Sequence, residues 1–120
     1  KLGYLPYSPL AFGMLTGKYL NGATPQHARV TLFPNYSRYH GEGSFEATRQ
    51  YQEIAQQYGM SLTQMSLAFV RQQPFVTSTI VGATTLTQLK ENIESISVSL
   101  TEETIKAINA VHASIPNPAP

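Results

Sequence analysis

Residues 81–92, V-G-A-T-T-L-T-Q-L-K-E-N, constrain the fold most, because a run rich in β-branched residues ends there and an amphipathic helical pattern begins. The run from Phe75 to Val81 favours a buried strand, since β-branched side chains pack well on a pleated sheet. Gly82 follows it, and Thr85 with Gln88 forms a capping box that starts a helix. Backbone N–H groups at such a helix start can bind an anion. The stretch therefore predicts a strand, a turn and a helix, with an anion site at the turn.

Length and charge limit what this chain can be. It has 120 residues, fewer than the ~250 residues of a typical (β/α)8 barrel, so it has room for one hydrophobic core. Charged residues make up 12% of the chain, well below the ~25% of an average soluble domain. So few charges predict that other protein covers part of the surface. Together with the start at Lys1, without an initiator methionine, this favours a fragment of a longer protein.

Missing residue types exclude several kinds of site. The chain has no cysteine, which excludes disulfides, thiolate metal ligands and a thiol nucleophile. It has no aspartate either, which excludes a Ser-His-Asp triad and an EF-hand within these residues. The sequence contains no run of ~18 apolar residues, which a membrane span would need, and its first residues do not resemble a signal peptide. We therefore expect a cytoplasmic protein without a membrane span.

Residues 20–43 show neither helical nor strand periodicity and contain several prolines and glycines. Irregular loops longer than ~12–15 residues in compact domains are usually functional or disordered, and the aromatic residues of this loop argue against disorder. We predict a lid over a ligand. Its basic residues are too dispersed for a nucleic-acid-binding stripe, and the sequence pI of about 8.2 is modest, so no nucleic-acid partner is expected.

Helix and strand signals alternate along the chain. Residues 3–8 favour a strand that Pro6 weakens, because proline cannot donate to a ladder. Gly59 predicts a helix end, and residues 116–120 predict an extended tail. The order strand, loop, two helices, strand, two helices favours the end of a larger α/β protein, because two parallel strands need neighbours and cover on both faces. The predicted helix caps are Ser44, Ser61, Thr85 and Thr101.

The ends of the two predicted strands supply the candidate site. In (β/α)8 barrels the loops after strands 7 and 8 often form a phosphate site, and Lys18 and Arg29 add cations that suit phosphate. A P-loop is not predicted, because Phe12 stands where that motif has its first glycine. Gln88 and Asn92 carry amides able to pair with a nucleobase. These features suit a phosphorylated nucleotide, although spacing alone favours a plain capping box and a solvated helix face.

Two motifs resemble the aldo-keto reductase superfamily, in particular the branch of voltage-gated potassium channel β-subunits and Tas-like bacterial reductases. They are Y-S-P-L-A-F-G-M-L-T-G-K-Y at residues 7–19 and the stretch at residues 81–92, which we call the first segment and the second segment. The resemblance covers nearly the whole chain. It implies an α/β fold in which residues 1–120 are the C-terminal portion of a (β/α)8 TIM barrel, with strands 7 and 8 and their following helices, and NADP(H) as the cofactor.

The resemblance also implies roles for individual residues in binding NADP(H). Tyr7 would stack on the nicotinamide, while Lys18 and Arg29 would hold phosphates from the loop. Gly82 and Thr84 match positions near the adenosine phosphate. The remaining matched positions line the pyrophosphate path, namely Ser8, Pro9, Leu10, Ala11 and Phe12, or contact the adenosine end, namely Gln88, Glu91 and Asn92.

The function implied by the resemblance is the reduction of a small aldehyde or ketone by hydride transfer from NADPH. The family's catalytic aspartate, tyrosine, lysine and histidine come from earlier strands, so we expect no catalytic residue in this chain and no turnover from the chain alone. Gln88 stands where many branches have arginine, which leaves the choice between NADP and NAD open. The alternatives are a regulatory nucleotide-sensing subunit with slow turnover, as channel β-subunits are, and a helical interaction module without a ligand.

Overall fold

Five α-helices and three 3₁₀ segments form the secondary structure of the computed structural model, which describes residues 2–33, 35, 39 and 41–119, with the backbone alone at positions 22 and 29. Most of the helical residues follow residue 41, so the later part of the chain carries the packing. The 3₁₀ segments are Ala11–Thr16, Leu20–Gly22 and Ser95–Ser97. The helices are α1 (Arg29–Leu32), α2 (Glu42–Gln57), α3 (Leu62–Arg71), α4 (Leu86–Glu94) and α5 (Glu102–Ser114).

Helices α2, α3 and α5 form the main hydrophobic core. Helix α2 packs against both α3 and α5. Helix α3 is buried on more than one side, as its nearly continuous apolar sequence predicts, and Ala68 has no exposed surface. Burying one large apolar side chain stabilises a fold by roughly 1.5–3 kcal/mol, so this cluster is the main stabiliser of the helical part. Its buried members are Ala47, Ile54, Ala55, Leu62, Met65, Ala68, Leu100, Ile108 and Val111.

Three of the four predicted helix caps are confirmed. The side-chain oxygens of Ser61, Thr85 and Thr101 accept from the backbone N–H three residues later, at 3.1, 3.1 and 3.3 Å. Each bond satisfies an amide that has no partner within its own helix. Gly59 follows the end of α2 with a φ of +72°, a left-handed conformation that glycine adopts without steric cost. These local signals therefore fix the helix ends as predicted.

The prediction that Ser44 caps α2 is wrong. The helix begins at Glu42 with Gly41 as its cap residue, so Ser44 lies within the first turn. Its hydroxyl donates instead to the carbonyl oxygen of Pro118 at 2.8 Å. A Cβ added at Gly43 would lie 3.5 Å from that same oxygen, so the C-terminal tail runs close to the start of α2. The serine serves a long-range contact that a local capping pattern does not show.

Residues 3–7 and 77–81 of the two predicted strands form two extended stretches, but the described residues form no regular ladder. Thr77 N donates to Tyr4 O at 2.9 Å and Ile80 N donates to Pro6 O at 3.1 Å, so the two stretches run side by side in the same direction. A parallel ladder would need the residue two positions after Tyr4 to donate to Thr77 O, and that residue is Pro6, which has no N–H. Tyr4 N donates to the hydroxyl oxygen of Thr77 at 2.9 Å instead. The prediction of regular strands is wrong here, and Pro6 provides the physical reason.

The loop at 20–43 is more regular than its sequence predicts. It contains the 3₁₀ segment Leu20–Gly22 and helix α1. The buried Tyr19 accepts a hydrogen bond from Val30 N at 3.1 Å through its hydroxyl oxygen, which satisfies an amide in the first turn of α1. With Met14 and Ala28, Tyr19 forms a second hydrophobic cluster. The prediction of a wholly irregular loop is therefore wrong, while its residues 34, 36–38 and 40 lie outside the described part of the chain.

Helix α4 leaves its apolar face open. Its apolar residues recur at the predicted helical spacing, but none of its residues is buried. Leu86 and Ile93 are 84% and 62% exposed, and with Leu89 they line a shallow groove along the helix. The sequence pattern therefore predicted the helix, and the described residues do not supply its cover.

Candidate functional site

The first and second segments begin at the same end of the two extended stretches. The hydrogen bond from Ile80 N to Pro6 O, 3.1 Å long, joins the residues that immediately precede Tyr7 and Val81. Because the stretches run in the same direction, their carboxyl ends meet at this point. Ligands of α/β sheets bind at the carboxyl ends of the strands. The structure thus brings together the starts of the two segments predicted to bind the cofactor.

Residues in the left-handed backbone conformation shape the first segment. Ser8, Ala11 and Phe12 have φ values of +52°, +49° and +57°. Each such residue other than glycine costs roughly 1–2 kcal/mol, and residues of this kind occur often at ligand sites, where the surrounding structure fixes them. The carbonyl oxygen of Leu10 accepts from Gly13 N at 2.9 Å and so closes the turn. The segment is therefore a defined and strained turn.

The aromatic side chains of the first segment have different environments. The Tyr7 ring is 75% exposed, so it presents apolar surface at the shared edge. Phe12 packs edge-on against Tyr39, with ring centroids 5.0 Å apart and an interplanar angle of 89°, a favourable aromatic geometry. Because Tyr39 belongs to the loop at 20–43, this contact attaches the predicted lid to the first segment.

The two cations predicted to hold phosphate are Lys18 and Arg29. The Lys18 side chain lies against its own segment: a Cβ added at Gly13, whose φ is +93°, would lie 2.7 Å from Lys18 Cε. Its Nζ is 5.8 Å from the ring centroid of Tyr19, within cation–π range. Arg29 is the first residue of α1, and its side chain lies outside the described atoms. Phosphate binding by both residues therefore stays a prediction.

Two side chains of the second segment fold back onto the turn before α4. Gln88 Oε1 accepts from Thr84 N at 2.9 Å and from Thr84 Oγ1 at 3.0 Å, while Asn92 Nδ2 donates to Gly82 O at 3.4 Å. The capping box is thus altered, because the Gln88 side chain bonds the residue before Thr85 and not the Thr85 amide. The turn is held from α4, and the Thr84 amide, a candidate anion donor, already has an acceptor.

Glu91 contacts a different helix. Its Oε1 accepts a hydrogen bond from Ser61 Oγ at 2.7 Å, across 30 residues of sequence. Ser61 is also the N-cap of α3, since its Oγ accepts from Gln64 N at 3.1 Å. The sequence predicts Ser61 only as a cap, because a local pattern carries no information about a contact so distant in the chain. Ser61 is therefore the residue near the candidate site that sequence reasoning missed.

The described residues with shifted pKa values lie on α2. The hydrogen bond from Arg49 lowers the pKa of Glu46 to about 2, with a further contribution from Gln50, and Glu46 raises the pKa of Arg49. Burial raises the pKa of Tyr51, whose side chain lines a cleft of about 170 Å³. Among the residues that the structure describes, no three metal-ligating side chains cluster. The shifts thus concern the helical part of the protein and not the first or second segment.

The sequence between residues 2 and 113 matches the model of the aldo/keto reductase family. The chain belongs to this family. Protein tas from Escherichia coli (strain K12) is 54% identical over 116 residues, which cover 97% of this chain and 34% of that protein. A probable voltage-gated potassium channel subunit beta from Oryza sativa subsp. japonica is 37% identical over 121 residues, covering 96% of this chain and 37% of its own. L-glyceraldehyde 3-phosphate reductase from Escherichia coli (strain K12) is 38% identical over 100 residues, covering 79% and 29%.

A solved structure also resembles this aldo/keto reductase chain. The glycerol dehydrogenase from Gluconobacter oxydans has a TM-score of 0.73 and 26% sequence identity, covering 98% of this chain and 36% of that one. Family and structural likeness together confirm the predicted fold class, a portion of a (β/α)8 barrel. The chain spans about a third of the length of the curated relatives named above. Within the described residues, no helix has both the length and the apolarity needed to cross a membrane.

Proposed function

We propose that the chain is the NADP(H)-binding part of an oxidoreductase that reduces aldehydes or ketones to alcohols by hydride transfer. One observation carries the proposal: the first and second segments start side by side at the carboxyl ends of two parallel extended stretches. These are the segments in which the sequence resembles the cofactor site of the family. Membership of an oxidoreductase family supports the reaction class, and the name of one relative, L-glyceraldehyde 3-phosphate reductase, supports a small carbonyl substrate.

The first segment suits the nicotinamide and pyrophosphate part of the cofactor. The exposed ring of Tyr7 offers a surface for stacking on the nicotinamide. The strained turn at residues 8–12 places backbone groups beside it, along the proposed pyrophosphate path. Lys18 and Arg29 add positive charge for the phosphates. The bound cofactor supplies the hydride, and these residues bind and orient it.

The second segment suits the adenosine end. The turn with Gly82 and Thr84 precedes the start of α4, where backbone amides and the helix dipole favour a phosphate. Gln88, Glu91 and Asn92 supply amides and a carboxylate, which can pair with the amine and ring nitrogens of adenine. Since Gln88 Oε1 occupies the Thr84 amide at 2.9 Å, a phosphate bound there has to replace that acceptor.

The remainder of the same barrel is the proposed partner of the exposed apolar surface. Large exposed apolar surfaces mark interaction sites, and residues of α4 and of the stretch from Phe75 to Val81 contribute exposed apolar side chains. We propose that residues 1–120 are the C-terminal portion of one cytoplasmic reductase barrel. In this arrangement residues 20–43 cover the cofactor, residues 116–120 form the tail, and the catalytic residues come from outside the chain.

The test uses the full-length protein that contains this chain. NADPH and NADH are titrated in turn, and NADPH oxidation is followed by absorbance with a panel of small aldehydes and ketones. We expect saturable NADPH binding and oxidation that depends on the carbonyl compound. Tyr7→Ala should weaken NADPH binding, whereas Tyr4→Ala, a partly exposed tyrosine outside both segments, should leave it nearly unchanged. Absence of both binding and carbonyl-dependent oxidation in the unmodified protein would overturn the proposal.

The assignment of the catalytic residues has its own test. The 120-residue chain alone should show no turnover and weak or no cofactor binding, because it would provide only part of the site. An aldehyde-reduction rate equal to that of the full-length protein would contradict this assignment.

A regulatory nucleotide-sensing subunit is the second candidate function. Likeness to a probable potassium channel subunit beta over nearly the whole chain favours it. Such a subunit would bind NADP(H) tightly and turn over slowly, with cofactor occupancy as its signal. Single-turnover and steady-state NADPH oxidation in the full-length protein separate the candidates, because a reductase releases its products and cycles rapidly.

A further inference from the structure

We infer that Ser61 is a positioning residue that orients Glu91 toward the adenine of the bound cofactor. This inference rests on the proposed function, because it assigns a role within the proposed adenosine site. Ser61 lies outside both cofactor segments and precedes a different helix. Its role follows from one contact, the 2.7 Å hydrogen bond from Ser61 Oγ to Glu91 Oε1.

The Ser61 hydroxyl has a fixed direction because it makes two bonds. Its oxygen accepts from Gln64 N at 3.1 Å, and its O–H donates to Glu91. A hydroxyl that accepts from a backbone amide is polarised and becomes a better donor. The cap of α3 therefore anchors one carboxylate oxygen of Glu91 to a rigid helix start.

The anchored carboxylate suits an amine donor. One of its two oxygens accepts from Ser61, and a carboxylate has further lone pairs with which it can accept from another donor. The exocyclic amine of adenine is such a donor, and its ring nitrogen accepts from an amide such as that of Asn92. A flexible glutamate loses rotamer freedom on binding, and the bond from Ser61 removes that freedom before the cofactor arrives.

The three polar side chains of the second segment are thus held from two directions. Gln88 and Asn92 bond the turn before α4, whereas Glu91 bonds the neighbouring helix. This arrangement links the position of α3, which belongs to the hydrophobic core, to the outermost part of the proposed cofactor site. A change at Ser61 should therefore affect the adenosine end and leave the nicotinamide end unaffected.

The experiment compares glycine and threonine substitutions at two helix caps in the full-length protein. Ser61→Gly removes the hydroxyl, and glycine at an N-cap costs only a few tenths of a kcal/mol. Ser61→Thr retains the hydroxyl. Thr101→Gly is the control, because it removes the cap hydroxyl of α5, whose described partner is Thr104. The ligands are NADPH and reduced nicotinamide mononucleotide, which lacks the adenosine half.

We expect Ser61→Gly to raise the Kd for NADPH about tenfold, which equals ~1.4 kcal/mol, without changing the Kd for the mononucleotide. Ser61→Thr should retain the NADPH affinity of the unmodified protein, and Thr101→Gly should not change it. In a double-mutant cycle, Ser61→Gly should have no further effect in the Glu91→Ala background, because both changes remove the same interaction.

Three results would overturn the inference: equal effects of Ser61→Gly and Thr101→Gly, an equal loss of affinity for both ligands, or full additivity with Glu91→Ala. If the unmodified protein binds no nicotinamide nucleotide, the proposed function fails, and the adenine-directed role fails with it. The positioning contact is tested separately by a crystal structure of Ser61→Gly, in which Glu91 should leave its present position. An unmoved Glu91 would overturn the positioning role alone.

Discussion

Helices α3 and α4 begin with the same local signal but have opposite environments. Each follows a hydroxyl residue that caps the amide three positions later, at Ser61 and Thr85, and each has apolar residues at helical spacing. Six residues of α3 are buried, whereas α4 has none. Capping and spacing thus determine where a helix forms, and the packing partners determine whether it is covered.

The contrast between α3 and α4 also separates residues that stabilise the fold from residues proposed to bind the cofactor. Helix α3 packs within the main core, while α4 carries Gln88, Glu91 and Asn92 beside an open apolar groove. Tyr7 of the first segment is likewise exposed at the shared edge, although the same segment carries the buried Met14 and Tyr19. None of the described residues proposed to bind NADP(H) is buried, and the closed helical region supports them.

The largest expected effect compares a buried and an exposed apolar residue. Met65→Ala should lower the free energy of unfolding by about 2–5 kcal/mol, the usual cost of a cavity left by a buried methionine. Ile93→Ala in the 120-residue chain should change it by less than about 0.5 kcal/mol, as for an exposed site. In the full-length protein both should be costly if other parts of the barrel cover α4. Urea unfolding measures the difference, and equal small effects of Ile93→Ala in both lengths would refute the proposed cover.

The next comparison concerns two glycines, one in each segment. Gly13→Ala should cost about 1–2 kcal/mol, because its φ of +93° is unfavourable for alanine and the new Cβ would meet Lys18 Cε at 2.7 Å. Gly82→Ala should change the unfolding free energy far less, since no described atom lies within 4 Å of the place where its Cβ would stand. Thermal unfolding of both variants provides the measurement. A larger loss for Gly82→Ala would show that the open region is packed in the full-length protein.

A substitution at Gln88 tests the proposed phosphate position. Gln88→Arg removes the acceptor that occupies the Thr84 amide and adds a cation suited to the 2′-phosphate. We expect the ratio of NADPH to NADH affinity to rise about tenfold, equivalent to ~1.4 kcal/mol. Lys90→Arg, which adds no charge on the same helix, is the control. An unchanged ratio would place the 2′-phosphate away from this turn.

The smallest expected effect concerns the exposed face of α2. The pKa of Glu46 is lowered to about 2 from 4.5. The contribution of its ionised form to the stability of the fold is therefore fully present above pH 4.5 and is lost as the pH falls through 2. Glu46→Gln should therefore lower the melting temperature slightly near pH 7, and the difference should vanish only below pH 2. Glu94→Gln, which breaks a longer 3.8 Å ion pair with Lys90, should have a smaller effect. A difference for Glu46→Gln that persists at the lowest pH would contradict the ionic origin.

The sequence predicted structural features correctly where the interaction joins residues close in the chain. The caps at Ser61, Thr85 and Thr101 each join residues three apart, and the end of α2 at Gly59 depends on one backbone conformation. The resemblance in the two segments likewise predicted the family and fold class that the comparisons confirmed. The roles of the individual site residues stay predictions.

Other features could not be predicted because they depend on distant residues. Ser44 has the residue type of a cap, yet its hydroxyl is used by Pro118, 74 residues later. Ser61 gave a correct cap signal that did not indicate its bond to Glu91. Pro6 was recognised as unable to donate, but only the alignment of Tyr4 with Thr77 shows which bond of the ladder is lost.

The sequence by itself determined the helix caps at Ser61, Thr85 and Thr101, the apolar spacing of α3 and α4 and the two segments that resemble the family, because each depends on residues close in the chain. Tertiary structure alone decided that α3 is buried and α4 is open, that the two segments begin at one edge, and that Ser61 meets Glu91. The physical reason is that cover and contact depend on which surfaces the folded chain brings together, and periodicity does not encode that choice.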